Sequence, residues 1–594
     1  MTPKRYFLGV KESATGLAWE HRLSELQDRT ALQIAQEQGV PDIVSRVLAG
    51  RGVTAETTKR FLDPTIRELL PDPASLTDME KAAARIVEAI LRKERVAIFG
   101  DYDVDGAASS ALMKRFLTHF GVAAEIYIPD RIFEGYGPNP EAMRDLAARG
   151  AKLIVTVDCG TNSAAAIEAA NDAGADVVVL DHHQVAGALP PAVATVNPNR
   201  EDDLSGQGHL CAAGVVFLTL VQTARLLRLR APQVAQVDLL TLLDLVALAT
   251  ICDVVPLTGI NRAFVVKGLI ALRHLQNPGI GALARVAKIG EPVNSFHLAF
   301  LIGPRINAGG RIGDAAVGSR LLASDDPVEV STIAETLNRL NQERQAMEQE
   351  MLGEARAEAD MELASGHGPA IIVTARDNWH PGIVGLLASR LKDHARRPAF
   401  AIAFNANGIG TGSGRSVAGF DLGRLVREAL NSGLLLKGGG HAMAAGITVE
   451  RAKLGALRAF FEEHAATDVF RLRNEEALPI DAAVSAEGVT EALLDALDEA
   501  GPYGAGHPPP VLVLPRHRLL DIRPIGTGHL RVDLHSEGGA RLNAIAFRAA
   551  DAPLGMFLLK NRGQTMHLAG SLSANYYNGN KSVQFRVIDA AIAA

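Results

Sequence analysis

The sequence predicts an α/β protein built from several units, on three observations. Between residues 95 and 181 short apolar strands alternate with amphipathic helices, which is the pattern of βαβ units and a mostly parallel sheet. Residues 327–363 are polar, strong helix formers with neither Gly nor Pro between Val328 and Leu352, and they read as one long, mostly exposed connecting helix. From about residue 478 short alternating strands and turn signals suggest a small antiparallel, OB-like β-barrel. A length of 594 residues gives room for about three to five domains.

The elements follow in order. Residues 1–75 form a helical segment, in which Thr54 is placed to cap a short helix that Pro64 stops. The first α/β domain spans 76–325: a helix over 77–93, a buried strand over 95–100, an acidic loop at 101–106 and a helix over 107–121. Strands over 124–130, 152–158 and 175–181 alternate with helices near 139–149 and 162–173, and long helices follow at 211–229 and 236–250. The connecting helix occupies 326–365. A second α/β domain, 366–466, starts with a strand at 369–374 and carries glycine-rich loops; a break is expected near 465–480. The barrel, 478–594, has strands within 510–525, 529–536, 541–547 and 581–590.

Composition excludes several classes. Hydrophobic residues at 47% supply packed cores, so wholesale disorder is excluded. A net charge of −7 excludes nucleic-acid binding by bulk charge; such a site must be a local basic surface, or hold its substrate through metals. Three cysteines, Cys159, Cys211 and Cys252, show no CxxC spacing, so neither a disulfide framework nor a zinc finger is implied. The most apolar stretch, 239–257, contains Asp244 and Asp253 and reads as a buried helix running into a functional loop, not as a membrane span. With no signal-peptide pattern at the N-terminus, the expectation is a soluble, cytoplasmic protein.

The chemistry concentrates at strand ends. Asp101, Asp103 and Asp105 directly follow a strand; Asp158 ends the strand over 152–158, Asp181 ends the one over 175–181 and precedes His182 and His183, and Asp253 follows an apolar run. Strand C-termini of a parallel sheet share one edge, where ligands bind. An aspartate after a strand commonly caps a helix; this many carboxylates repel one another, which a loop tolerates when cations neutralise them or when they are simply solvated. Carboxylates with imidazoles and no thiolates favour Mn²⁺ or Mg²⁺, and one carboxylate shared by two ions gives the two-metal arrangement of phosphoester chemistry.

GDYDVDG (100–106), VDCG (157–160), DHH (181–183) and ICDVVPL (251–257), in this order, resemble the DHH phosphoesterase superfamily. GPRINAGGRIGDA (303–315), WHPGIVGLLASRL (379–391), GSGRS (412–416), GGGHAMAAG (438–446) and YGAGHPPP (503–510) narrow the resemblance to the RecJ family of single-strand-specific 5′→3′ exonucleases, over nearly the whole chain. His507 stands where that family usually has Asn. The resemblance implies a DHH domain, a DHH-associated second domain and an OB-fold, and it implies a two-metal enzyme of DNA repair and recombination. Its ligands fall on Asp103, Asp105, Asp158, His182 and Asp253, with Asp158 as the bridge; His183 faces the substrate phosphate, and Asp101 and Asp181 orient ligands. It also implies a single-strand-binding protein and a helicase as partners.

The reaction implied is hydrolysis of single-stranded DNA to 5′-mononucleotides, and its polarity needs a site for the terminal 5′ phosphate. Candidates are Ser413, Arg415, Ser416, Gly439, Gly440 and His441, because backbone nests and guanidinium groups both suit phosphate. Arg305 and Arg311 are further candidates, with Trp379 and His380 lining a groove. In the barrel, Tyr576, Tyr577, Lys581 and Phe585 are candidates for the single strand, although alternation also allows Phe585 to be core. Two other readings are a DHH phosphodiesterase of short oligonucleotides or cyclic dinucleotides and a non-catalytic scaffold; the intact set of carboxylates and histidines disfavours the scaffold.

Overall fold

The structure, a computed structural model, describes residues 4–130, 134–234, 236–364, 367–577 and 580–593, with 576, 577 and 580 described in backbone only. The chain divides into two compact units, Pro71–Asp253 with Lys267–Glu475, and Met1–Leu70 with Val254–Val266 and Glu476–Ala594.

The first of these units begins with α1 (Met79–Arg92), whose Ala82, Ile86, Val87 and Ile90 recur at helical spacing and are all buried. A fully buried β1 (Val96–Phe99) then leads into α2 (Val104–His119). Next come β2 (Ala124–Tyr127), α3 (Pro140–Ala148), β3 (Leu153–Val157), α4 (Ala164–Asp172), β4 (Asp176–Leu180) and β5 (Ala194–Val196). The sheet order is β2-β1-β3-β4-β5, and every pairing is parallel. β5 escapes sequence reading because three residues are too few to show a period. α2 starts inside the segment read as a loop, because the Asp103 carboxylate accepts the Asp105 and Gly106 N–H groups at 2.9 and 3.1 Å and so caps the helix. α5 (Ala212–Arg230) and α6 (Leu243–Cys252) are largely buried against this sheet domain, α5 being the one described helix long and apolar enough to cross a membrane.

α7 (Gly303–Ile312) precedes α8 (Pro327–Leu363), the long helix. Most residues of α8 are exposed or half-buried, as expected, but the helix does bury one face. Val330, Ile333, Ala334, Leu337, Leu340, Asn341, Arg344, Glu348, Met351, Ala355 and Ala359 are buried at spacings of three and four, so one narrow stripe packs along its length. The stripe is hard to read because a buried Arg344–Glu348 ion pair interrupts its apolar residues.

The following domain contains β6 (Ile372–Arg376), α9 (Val384–Ala395), β7 (Ala399–Phe404), β8 (Ile409–Arg415), α10 (Leu422–Asn431), β9 (Lys437–His441), β10 (Ala444–Glu450) and α11 (Leu454–Glu475). Its sheet runs β9-β10-β8-β7-β6, parallel only between β6 and β7. The glycine-rich motifs expected as loops are strands. Gly410, Gly412 and Gly414 leave room for large side chains beneath β8; a Cβ at Gly414 would lie 2.4 Å from the Phe400 ring. The break expected near 465–480 falls at Glu475, where α11, held on buried Phe461, Ala465 and Val469, ends and the chain passes to the other unit.

In the other unit five strands close a barrel: Leu512–Ile525, His529–His535, Arg541–Ala546, Asn580–Ile592 and Thr565–Tyr577, the last pairing back to the first. One contact, Arg541–Ala546 with Asn580–Ile592, is parallel, so the barrel is not wholly antiparallel as expected. The strand Thr565–Tyr577 was not anticipated. Phe585, Val532 and Leu568 share one core with Ile34, Val47 and Leu48, so the N-terminal helices, read as a separate segment, pack onto the barrel.

Candidate metal centre and phosphate cradle

The carboxylates and imidazoles of the first unit converge at the C-terminal edge of the parallel sheet. Asp101 follows β1, Asp103 caps α2 and Asp105 lies in its first turn; Asp158 follows β3, Asp181 to His183 follow β4, and Asp253 caps the end of α6. The His182 Nε2 lies 3.3 Å from Asp158 Oδ1 and 3.8 Å from both Asp105 Oδ2 and Asp253 Oδ2. Its Nδ1 donates to the Leu210 carbonyl at 3.1 Å, which aims Nε2 at the acids. Asp158 is buried with φ 62°, a backbone state that Asp tolerates better than most residues.

Three sets of donor atoms lie close enough to hold a cation: Asp101, Asp103 and Asp158; Asp105, His182 and Asp253; and Asp158, His182 and His183. Asp158 belongs to two of them. Asp101 thus lies among the candidate ligands rather than behind them. The cluster fits divalent metals on its own chemistry. The buried Oδ1 of Asp158 accepts no hydrogen bond among the described residues, and burial, with Asp105 next in effect, pushes its carboxyl well above the usual range. Burial likewise raises Asp105, although its oxygens accept the Ala212 and Ala213 N–H groups at 2.6 and 2.8 Å. Burial and the Asp105 and Asp103 charges push Asp253 up to about 9. Only oxygen and imidazole nitrogen donors occur in these sets, which suits Mn²⁺ or Mg²⁺.

Asp181 differs. Burial alone would raise it, but His183 at 2.8 Å and Thr161 outweigh that and hold its carboxyl well below the usual range. It also accepts the His182 and His183 N–H groups at 2.8 and 3.2 Å, so its oxygens are committed to orienting the two histidines. For His183, burial lowers the pKa, yet the hydrogen bond to Asp181 carries it above the ordinary value. Tyr136 was missed in the sequence: its hydroxyl donates to the Asp158 carbonyl at 3.1 Å and sits 3.1 Å from His183 Nδ1. An isolated tyrosine in a loop gives no signal. Cys159, Cys211 and Cys252 have pKa values raised by burial, as fillers rather than nucleophiles.

In the second sheet, β8, β9 and β10 present one polar face. The register pairs Ser413 with Gly446 and Gly446 with Gly439, and Arg415 with Ala444 and Ala444 with His441. Arg415 is braced by Ser413 Oγ and the Gly414 carbonyl, both at 2.9 Å. Burial first, then the charges of Arg415 and His183, lower the His441 pKa, so His441 lies within electrostatic reach of both the arginine and the metal cluster. Gly440, at φ 147°, allows the close approach of β10, since a Cβ there would stand 2.3 Å from the Ala444 carbonyl. A cavity of about 570 Å³ opens on this face, lined by Gly382, Ser413, Gly439, Thr411, Lys437 and Thr448 among others.

Several other candidates are packing residues. Ser416 is buried and donates to the Phe420 carbonyl at 2.7 Å. Trp379 is buried in the core under α9 and donates to Glu354 at 2.8 Å. Arg305 is spent on Asn338 at 3.0 Å and the Leu301 carbonyl at 2.6 Å, and Arg311 reaches the Gly382 carbonyl at 3.2 Å. His380 Nδ1 accepts the Gly382 N–H at 3.1 Å, shaping the turn before α9. In the barrel, Lys581 pairs with Asp495 and Phe585 is core. The Tyr576 and Tyr577 side chains lie outside the described residues.

Comparison with known proteins agrees with this geometry. Three family models match: DHH family, N-terminal domain, over 95–250; DHHA1 domain, over 368–467; and RecJ OB domain, over 480–589. The single-stranded-DNA-specific exonuclease RecJ of Escherichia coli (strain K12) is 36% identical, over 93% of this chain and 96% of its own. RecJ of Bacillus subtilis (strain 168) is 32% identical, over 98% of this chain and 71% of its own. Among solved structures, RecJ of Thermus thermophilus in complex with Mn²⁺ superposes with a TM-score of 0.78 at 30% identity, covering 96% of this chain and 79% of that one. The corresponding Mg²⁺ complex gives a TM-score of 0.73 at 29% identity, covering 96% and 78%. Matched along almost its full length in sequence and in fold, the chain belongs to the RecJ family of single-stranded-DNA-specific exonucleases.

Proposed function

We propose that this chain is a two-metal-ion exonuclease that degrades single-stranded DNA from its 5′ end to 5′-mononucleotides. The observation that carries the reading is Asp158: a buried, acceptor-only carboxylate shared by two donor sets, with a phosphate cradle on the neighbouring sheet. Asp101, Asp103 and Asp158 would hold one Mn²⁺ or Mg²⁺, and Asp105, His182 and Asp253 the other; His182 Nε2, 3.3 Å from Asp158 Oδ1, brings Asp158 beside the second set as well. Two such ions supply an activated water and offset charge on the non-bridging and leaving oxygens.

The remaining work falls to the chain's own residues. Asp181 fixes the His183 ring, whose raised pKa keeps a proton available to the scissile phosphate. Arg415, Ser413, Gly439, Gly440 and His441 receive the terminal 5′ phosphate, so that cleavage falls one nucleotide along. A single-strand-binding protein, a helicase and a cytoplasmic location go with this reading through the family resemblance.

The test is digestion of a long 5′-phosphorylated single strand in Mn²⁺, with mononucleotides as the expected product. Preference for a dinucleotide, with no progressive digestion of the strand, would overturn the reading. In the same assay Arg415→Ala is expected to narrow the preference for a 5′-phosphate over a 5′-hydroxyl end by roughly tenfold, the effect of one charge-assisted contact. An unchanged preference would remove Arg415 from the cradle.

A further inference from the structure

Three rows of residues cross the polar face of β8, β10 and β9. The first is Arg415, Ala444 and His441, and the second is Ser413, Gly446 and Gly439; these two make the phosphate cradle. The register adds a third row, Thr411, Thr448 and Lys437, two residues or about 7 Å further along each strand. Because His441 feels the charge of His183, the first row faces the metal cluster and the third lies away from it. Thr411 and Lys437 are exposed and Thr448 is half-buried.

The cavity of about 570 Å³ stands over the second and third rows, not over the first. That volume is the size of a small-ligand site and exceeds what one phosphate fills. Among the described residues no carboxylate and no aromatic ring lines it. It ends at the next row, where Ile409 faces Glu450, whose carboxylate is held by Lys453 at 3.3 Å. The floor is unusual. A Cβ at Gly439 or Gly446 would meet no atom within 4 Å, and neither residue has a left-handed φ. Packing requires glycine at Gly414 and Gly440, but nothing in the sheet requires it at these two. What they provide is bare backbone between a guanidinium on one side and an ammonium on the other, which a chain of anionic groups can approach closely.

Resting on the exonuclease reading above, we propose that the glycine floor and the third row accept a 5′-triphosphate end. The α-phosphate occupies the Arg415 cradle, and the β- and γ-phosphates continue over Gly446 and Gly439 to the Lys437 ammonium and the Thr411 and Thr448 hydroxyls. The substrate class is a strand begun without a primer, whose first nucleotide keeps its triphosphate. A nucleobase would find no ring to stack on in this cavity, whereas a polyphosphate finds a cation at each end and donors between them. The cut is the same one. Water adds to the phosphorus between the first and second nucleotides, the 3′ oxygen of the first leaves and takes a proton, and the triphosphate stays intact. The first product is a nucleoside 5′-triphosphate, and the shortened strand carries a 5′ monophosphate.

The experiment uses the full chain in excess Mn²⁺ and two single strands of one sequence, one ending in a 5′ monophosphate and one in a 5′ triphosphate. Binding of both strands is also measured in EDTA. Wild type is expected to digest both and to release a nucleoside triphosphate first from the second. Lys437→Gln should weaken binding of the triphosphate strand and raise its KM by about tenfold, as loss of one charge-assisted contact does. The monophosphate strand should bind and react as in wild type, and Lys437→Arg should restore the triphosphate strand. A wild type that digests the monophosphate strand but leaves the triphosphate strand uncut overturns the site. So does release of pyrophosphate in place of the nucleoside triphosphate, or a Lys437→Gln variant that changes neither strand or both alike. A wild type that digests neither strand takes down the exonuclease reading on which the site rests.

Discussion

Asp158→Asn is expected to lower the rate of strand hydrolysis in Mn²⁺ by roughly three orders of magnitude, the scale at which a preorganised charge acts on a developing oxyanion. Asparagine is the informative substitution. Asp158 holds φ 62°, where alanine would add about 1–2 kcal/mol of backbone strain while asparagine adds little. The amide keeps the shape, the Tyr136 contact through the backbone carbonyl and the fold, and removes only the charge shared by two donor sets. Binding of a single strand in EDTA should persist. Single-turnover cleavage of a 5′-labelled strand checks the rate; wild-type turnover would sink the placement of Asp158 between two ions. Asp181→Asn is predicted to be milder, since it disturbs only the orientation of the histidines.

Much of this was readable from sequence because periodicity and strand ends are local properties. The buried runs over 96–99, 153–157 and 177–180 and the aspartates after them could be placed at one edge from the strand pattern alone, since parallel sheets put strand C-termini together. Direction was harder. Arg305, Arg311, Trp379 and Ser416 have the right chemistry for DNA, but the fold turns them onto carbonyls, Asn338 or Glu354. The motif glycines suggested loops, although on β8 they serve to admit Phe400 and Ile402 beneath a strand. Thr411, Lys437 and Thr448 come from three strands and form one row only through the antiparallel register, which no motif records.

Chelation and pH should act on stability together. Burial raises Asp105, Asp158 and Asp253 above their unfolded range near 4, Asp253 to about 9. Without metal the folded chain therefore binds more protons than the unfolded one between about pH 4 and 9, and stability falls as pH rises through that window, by up to about 1.4 kcal/mol per pH unit for each excess proton. His183, also raised, acts in the same direction, whereas His441, lowered, acts against it. Asp181, depressed, contributes stability above its unfolded range that is lost only on further acidification. Cations replace the protons, so the gain from Mn²⁺ should grow with pH. In EDTA, Tm is expected to fall by several degrees between about pH 5.5 and 8.5, and saturating Mn²⁺ should remove most of that fall. Asp253→Asn, which takes away one of the titrating carboxyls, should flatten the EDTA profile while it lowers cleavage. Calorimetry across this pH range with and without Mn²⁺ decides it. An Mn²⁺ increment that is flat or shrinks with rising pH would mean that the cluster is not where the cation and the protons compete.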